Sequence, residues 1–281
     1  MGKPALLVLA AALLVQTGEA ATGARRYLPV EMRFLDRNHG FVELQPLFAC
    51  SSCPLRIQRT DDGGKTWHAS SLRRLPLSAA GRRFRASWRR GTKRGLQLAA
   101  VVTPTVAWTT SQPQTGAGSR LYLSRDGGHS WQRLKLPCGR PFAFYRPLVA
   151  AVSARRAWIL CLGEPGAGQQ NKALYETVDA RQWTLRRNLS GSGYGQRLAL
   201  TPTGFGLLAE SRSGLLVTRD RGRSWQMPRI TSPEEAEPQA VAVFPPGWGL
   251  VLVRDDRSKR RAELYRTRDA GRHWNLLRVW R

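Results

Sequence analysis

The chain has 281 residues, with 45 Lys and Arg against 19 Asp and Glu and a formal net charge of +26. Its 42% hydrophobic content and ten Trp are enough to build a core and exclude a disordered polyelectrolyte. The charge draws polyanions of several kinds: acidic membrane surfaces, anionic cell-wall polymers, nucleic acid or an acidic protein. Only six of the basic residues are Lys (3, 65, 93, 135, 172 and 259), and the Arg are spread along the chain, so a genomic preference for Arg codons accounts for the same excess.

The first segment reads as a secretory signal. Lys3 gives a short positive start and Ala5–Val15 is uncharged and apolar, while Gly18 and Ala20 stand three and one positions before a cut at Ala21. Eleven apolar residues fall well short of the roughly 20 that span a bilayer. Residues 1–20 are therefore expected to be a signal peptide and 21–281 one domain, secreted or periplasmic. The four cysteines then predict disulfides, an even number in an oxidising compartment. Cys50 and Cys53 (Cys-Ser-Ser-Cys) are placed to staple one hairpin, and Cys138 and Cys161 to tie the end of one repeat to the next. A thioredoxin-like use of Cys50 and Cys53 would need a helix after the pair, and Pro54 and strand-like LRIQRT follow instead.

The repeat carries most of the information. Residues 60–67 read TDDGGKTW, 124–131 SRDGGHSW, 218–225 TRDRGRSW and 267–274 TRDAGRHW, and a shortened copy, TVDARQW, fills 177–183. Each follows a short alternating strand: 55–60, 121–124, 174–177, 215–218 and 264–267. A further run follows each Trp, as in 131–136 or WQMP from 225, so each box is expected to be a hairpin turn. The letters have a mechanism. Asp accepts backbone N–H groups further along the turn, Ser/Thr supports it, Gly supplies a positive φ, and Trp buries a ring between sheets with its N–H seeking an acceptor. In the third box Arg181 stands near the place of the Gly, so that turn should be tighter or distorted.

Upstream of each box a small residue precedes an aromatic (Phe41, Trp108, Trp158, Phe205, Trp248), and a strand precedes that, at 30–35, 96–102, 148–152, 197–200 and 240–244. The unit has four strands, and the units run 27–77, 95–137, 147–189, 196–231 and 239–281. This is the period of propeller blades. The fold class is all-β, a β-propeller of four-stranded blades with Asp-box turns between strands three and four. Five blades are visible, with room for a sixth in 73–95. Each blade begins with its inner strand and ends with its outer one, so the ring closes without strand exchange, aided by the Cys pair.

These boxes resemble the Asp-box (bacterial neuraminidase) repeat of sialidases, sortilin-type receptor ectodomains and photosystem II stability/assembly factor-like propellers. The paired signature is most similar to the last group and covers nearly the whole mature chain. The resemblance implies that Asp62, Asp126, Asp179, Asp220 and Asp269, with Trp67, Trp131, Trp183, Trp225 and Trp274, form the fold and are not ligands. Its assembly-factor side implies a basic face that engages a protein partner, usually at a membrane. Its sialidase side implies an arginine trio, a tyrosine activated by a glutamate, and an aspartate acid/base.

Against the enzyme, the Arg-Ile-Pro signature is missing. Tyr122, Tyr175 and Tyr265 repeat at one position and are structural, leaving Tyr27, Tyr145 and Tyr194 as nucleophile candidates. Carboxylates outside the boxes are Glu31, Asp36, Glu43, Glu164, Glu210, Asp255, Asp256 and the 234–237 cluster, none marked as the converging pair that glycoside hydrolysis needs. His39, His68, His129 and His273 are scattered and suggest neither a triad nor a metal site. The expected binding segment is the basic, aromatic-interleaved stretch with Arg82, Arg83, Phe84, Arg85, Trp88, Arg89 and Arg90. A second basic run, 254–261, reads as simply solvated. The reading is a non-catalytic, monomeric binding or assembly propeller without cofactor or metal, for a protein partner at the envelope. Alternatives are a sialidase-like hydrolase and a polyanion binder, with nucleic acid disfavoured.

Overall fold

Five separate antiparallel sheets form, and residues 107–110, 157–163, 206–210 and 248–253 of their second strands are buried without interruption because both faces meet a neighbour. The computed structural model describes residues 27–46, 56–70, 96–111, 118–142, 145–191, 193–230, 236–255 and 261–281. Residues 1–20, the Cys50/Cys53 pair, the Arg82–Arg90 segment, the 73–95 room for a sixth blade, Glu234, Glu235 and Asp256 lie outside the described residues.

Blade 1 is β1 (Tyr27–Phe34), β2 (Gly40–Pro46), β3 (Arg56–Thr60) and β4 (His68–Ser70). Blade 2 is β5 (Leu96–Val101), β6 (Ala107–Ser111), β7 (Leu121–Ser124) and β8 (Gln132–Leu134). Blade 3 is β9 (Leu148–Ala151), β10 (Ala157–Gly166), β11 (Gln169–Thr177) and β12 (Thr184–Leu189). Blade 4 has only β13 (Tyr194–Leu200), β14 (Gly206–Ser211) and β15 (Gly214–Thr218), and blade 5 is β16 (Ala236–Phe244), β17 (Trp248–Asp255), β18 (Ala262–Thr267) and β19 (Asn275–Trp280). In every sheet the strands lie in chain order, so no strand is exchanged between blades. No helix among the described residues is long and apolar enough to cross a membrane.

Blade 4 departs from the expected four strands. Its outer strand shrinks to a single bridge between Val217 and Gln226. Two residues further along, where Leu215 would be paired, stands Pro228, which has no N–H to donate.

Four hydrophobic clusters hold neighbouring blades together. Leu28, Met32 and Val42 of blade 1 pack with Leu250, Leu264 and Trp280 of blade 5. Trp108 and Leu121 pack with Ile159 and Ala173 across blades 2 and 3, Leu160 and Leu174 with Leu200 and Leu208 across blades 3 and 4, and Phe205 and Val217 with Val251 and Tyr265 across blades 4 and 5. Each of these clusters takes in the box Trp of the later blade, namely Trp67, Trp183, Trp225 and Trp274, so each box pins its blade onto the one before it around the ring. Trp131, the box Trp of blade 2, belongs to none of the four clusters. These four rings are half-buried, so deleting one costs less than the ~3–5 kcal/mol of a fully buried aromatic.

The expected acceptors are found for three of these indoles: Trp67 donates to Gly64 O at 3.0 Å, Trp225 to Gly222 O at 3.2 Å, and Trp183 to Lys135 O of blade 2 at 3.0 Å. The buried indole nitrogen of Trp274 is an exception, with no acceptor among the described residues. Cys138 and Cys161 form a disulfide between the end of blade 2 and β10 of blade 3. That is the expected repeat-to-repeat tie, but it does not close the ring. Blade 5 meets blade 1 instead through their shared cluster, with Trp280 Nε1 donating to Gln58 Oε1 at 3.1 Å.

Candidate functional site

The two ends of the propeller have different chemistry. The Asp-box end is self-satisfied. In the first box Thr60 Oγ1 donates to Asp62 Oδ1 at 2.8 Å and accepts from Gly64 N at 2.9 Å, while Thr66 Oγ1 donates to Asp62 Oδ2 at 2.6 Å. Burial raises the Asp62 carboxyl, but hydrogen bonds from Thr66, Thr60 and Lys65 outweigh it and hold it down to about 2. Asp126, Asp220 and Asp269 repeat the pattern with Ser130, Ser224 and His273, and each is lowered too. The intact boxes place two consecutive residues at positive φ, among them Gly63 with Gly64 and Arg221 with Gly222. The third box has one, Ala180 at φ 63°, and its N–H reaches Thr177 Oγ1 one residue earlier than in the other boxes. The shortened turn is thus tighter, as its missing residue implied. These aspartates are consumed by their own turns, and the described residues hold no cluster of His, Cys, Asp or Glu fit for a metal ion.

The opposite end gathers the starts of the inner strands and the β10–β11 and β14–β15 hairpins. Inner strands β1, β13 and β16 change register at one matching place, after Pro29, Gly195 and Pro238, and β5 shifts two residues nearer the box end, after Leu98. Such bulges re-aim the side chains beside them. Beside two of them stand Glu31 and Arg197, and Arg197 Nη2 donates to Glu31 Oε2 at 2.9 Å. Blades 1 and 4 both border blade 5 and not each other, so this pair reaches past β16. Arg146, in the linker before β9, donates from Nε to Thr110 Oγ1 of blade 2 at 3.2 Å. Burial, and then the charge of Arg197, pull its guanidinium below the ordinary value.

Arg140, Pro141, Tyr145 and Glu164 line a cavity of about 490 Å3 between the blade 2–3 linker and the end of β10. The sequence named Tyr145 and Glu164 separately, and the fold brings them to one cavity. The other two tyrosine candidates are occupied differently. Arg56 lies 3.9 Å over the Tyr27 ring, while the Tyr194 hydroxyl accepts from Gly168 N at 3.0 Å beneath Arg212. Tyr265 is structural as expected, with its hydroxyl donating to Glu263 and pushed up by burial and that carboxylate.

Several glutamates are enclosed. Glu210 is ion-paired with Lys172 at 2.9 Å and accepts from Ser213 Oγ at 2.6 Å. Glu176 is clasped by Arg156 and Arg186, and Glu263 by Arg261. That last contact corrects the reading of the 254–261 run as simply solvated: Arg261, just before β18, is half-buried on the buried carboxylate of Glu263 in that strand. These buried pairs had no signal in the sequence, because Lys172 and Glu210 are separated by two whole strands, β12 and β13, and a blade boundary.

The family profile described as BNR/Asp-box repeat matches residues 58–69. No curated protein matches the sequence. Among solved structures, the chain is similar to YCF48 bound to D1 peptide, at 18% identity and TM-score 0.39, covering 91% of this chain and 69% of that one. It is similar to YCF48 from Cyanidioschyzon merolae at 13% identity and TM-score 0.36, covering 83% and 94%. It is also similar to the GH74 xyloglucanase from Xanthomonas campestris at 15% identity and TM-score 0.39, covering 89% of this chain and spanning only 45% of the enzyme. On its own repeats and sheets, with the profile match, the chain is a β-propeller of the BNR/Asp-box type.

Proposed function

We propose that this propeller is a non-catalytic binding or assembly module that holds an acidic protein partner against its basic hairpin end, outside the cytoplasm. The observation that carries the reading is the unequal treatment of charge. Glu176, Glu210 and Glu263 are buried and neutralised by internal cations, whereas Arg140, Arg197 and Arg212 stand exposed at the hairpin end. Arginine suits such a face, because its planar fork pairs with carboxylates in two-point contacts. The Arg82–Arg90 segment, which lies outside the described residues, is proposed from its composition as the binding segment, and the Cys138–Cys161 disulfide agrees with an oxidising compartment.

The test is a pull-down from native envelope extract with the mature domain and a variant in which Arg83, Arg85, Arg89 and Arg90 are replaced by Glu, eluted by a salt gradient. One or two proteins retained by the parent and lost by the variant, at unchanged melting temperature, support the reading. Retention of bulk anionic polymer alone, released by modest salt, would replace it with the polyanion alternative.

A second reading has its own observation, the cavity shared by Tyr145, Glu164 and Arg140. A sialidase-like hydrolase would use the tyrosine as nucleophile, the glutamate to take its proton and the arginine to hold a substrate carboxylate. Release of fluorophore from a sialoside, abolished by Tyr145→Phe, would establish that reading over the first.

A further inference from the structure

We infer that the outer rim of blades 3, 4 and 5 is a docking surface for an anionic lipid bilayer, with Leu185, Met227 and Leu276 as its apolar contacts, each set between two arginines.

Around the last three boxes the sequence repeats beyond the box itself. Residues 181–187 read RQWTLRR, 223–229 RSWQMPR and 272–278 RHWNLLR, so one pattern, Arg-x-Trp-x-Leu/Met-x-Arg, recurs in three consecutive blades. Blades 1 and 2 lack it, with Ala69 and Arg133 at the apolar position. The Trp is accounted for, because Trp183, Trp225 and Trp274 pack on the preceding blade. The apolar residue two positions later belongs to no inter-blade cluster. Leu185 is 46% exposed, Met227 65% and Leu276 48%, three of the six large apolar side chains that stand exposed among the described residues. The backbone marks the same place. The outer ladders of blades 3 and 5 shift register just past Leu185 and Leu276, and that of blade 4 ends before Met227. Those of blades 1 and 2 run without a shift. Bulges of this kind re-aim the side chains beside them.

The flanking charges point to the partner. Arg181, Arg223 and Arg272 sit at the box turns, and Arg187, Arg229 and Arg278 lie two residues past the apolar one; all six are exposed. Residues 177–189, 218–230 and 267–281 together hold eleven Arg against three Asp and no Glu. Among these Arg only Arg186 is ion-paired to a described carboxylate, the buried Glu176. The three Asp, Asp179, Asp220 and Asp269, are bound by the N–H groups of their own boxes.

An exposed apolar side chain between cations is the make-up of a surface that lies on anionic lipid. The apolar group enters the acyl boundary, and the arginines pair with headgroup phosphates. The repetition favours a bilayer over a protein or a polymer. Equivalent positions of a ring stand at one height along its axis, so the three units are coplanar, and a laterally uniform partner offers the same contact to each. A soluble polyanion would answer the arginines and leave Leu185, Met227 and Leu276 in water. The units adjoin the box end, so the hairpin end proposed for the protein partner stays free, and the inference does not rest on that proposal.

The test is co-sedimentation of the mature domain with vesicles of phosphatidylcholine alone or of equal parts phosphatidylcholine and phosphatidylglycerol. The parent should pellet with the anionic vesicles and not with the neutral ones. Leu185→Ser, Met227→Ser and Leu276→Ser combined should weaken binding about tenfold. Arg187→Gln, Arg229→Gln and Arg278→Gln combined should weaken it about a hundredfold, at about fivefold per charge. All six positions are exposed, so both variants should keep the parent's melting temperature. A charge-matched control in blade 2, Arg125→Gln, Arg133→Gln and Lys135→Gln, separates the rim from the general charge of the protein and should change binding less than about threefold. Equal loss in that control, unchanged binding in the serine variant, or capture of soluble polyphosphate in place of the vesicles would overturn the rim as a bilayer surface.

Discussion

Lys172 of blade 3 and Glu210 of blade 4 form an ion pair at 2.9 Å with side-chain exposures of 3% and 2%. Their surroundings complete the network: Lys172 Nζ also donates to Gly193 O at 2.9 Å, and Ser213 Oγ donates to Glu210. Neighbouring Gln170 donates to Gly163 O and accepts from Gly195 N, so the boundary between blades 3 and 4 is closed by polar contacts at the hairpin end. Further toward the box end the same boundary is apolar, with Leu160 against Leu200 and Leu208.

Removing one member of that pair leaves the other charged and dry. Lys172→Met or Glu210→Leu is expected to cost about 3–5 kcal/mol, whereas the double variant recovers most of it. Urea denaturation of the four proteins checks this. Equal losses that simply add would mean that the two groups are not coupled.

The glycine of the fourth box is more constrained than that of the fifth. A Cβ on Gly222, at φ +84°, would lie 2.2 Å from Leu174 Cδ2, which is fully buried in the blade 3–4 core. On Gly271, at φ +77°, it would meet Val217 Cγ1 at 3.0 Å. Both alanine variants carry the strain of a positive φ, about 1–2 kcal/mol, and Gly222→Ala adds about 1–3 kcal/mol of overpacking. Gly222→Ala is therefore expected to melt several degrees below Gly271→Ala, and a reversed order would refute this account of the box as an inter-blade pin.

The box explains what could be read from the sequence. The Ser/Thr, Asp and Gly of the box act on one another within eight positions, so spacing alone located the turns, the flanking strands and the five sheets. Even the third box was legible as a tighter turn, although Ala180 and not Arg181 takes the positive φ of the Gly. The missing outer strand of blade 4 was written in Pro228, but the alternating letters around Trp225 outweighed it. The Arg197–Glu31 pair was not legible at all. Glu31 and Arg197 are 166 residues apart, and among so many Arg neither Arg146 nor Arg197 stands out until the ring brings them together. Tyr145 and Glu164 were each visible, and only the linker path through Cys138 and Pro141 places them on one cavity.

That linker depends on the disulfide. Cys138 and Cys161 are 23 residues apart in sequence, and a bridge over a loop of this size stabilises by about 3 kcal/mol. Cys161 is fully buried and Cys138 nearly so. The double Ser variant is expected to lose roughly that amount, and the linker carrying Arg140, Tyr145 and Arg146 should exchange its amide hydrogens faster than the sheets do. Uniformly faster exchange across all five blades would show instead that the bridge supports the whole ring.

The boxes also set an acid limit. Asp62, Asp126, Asp220 and Asp269 all have carboxyls lowered in the folded protein. A depressed folded pKa contributes stability that is fully present above the unfolded value, near 3.9, and is lost as pH falls through the folded one. For Asp62 that window runs from about pH 4 down to about 2. Asp62→Asn keeps the shape of the acceptor on one side but loses the charge that Thr66 and Lys65 N–H groups stabilise. The variant should melt below the parent at pH 7, and the two melting curves should converge as pH approaches 2. General charge repulsion among the many Arg would lower both proteins together and leave their difference constant with pH, so a gap that persists in acid would separate that cause from the turn chemistry of the box.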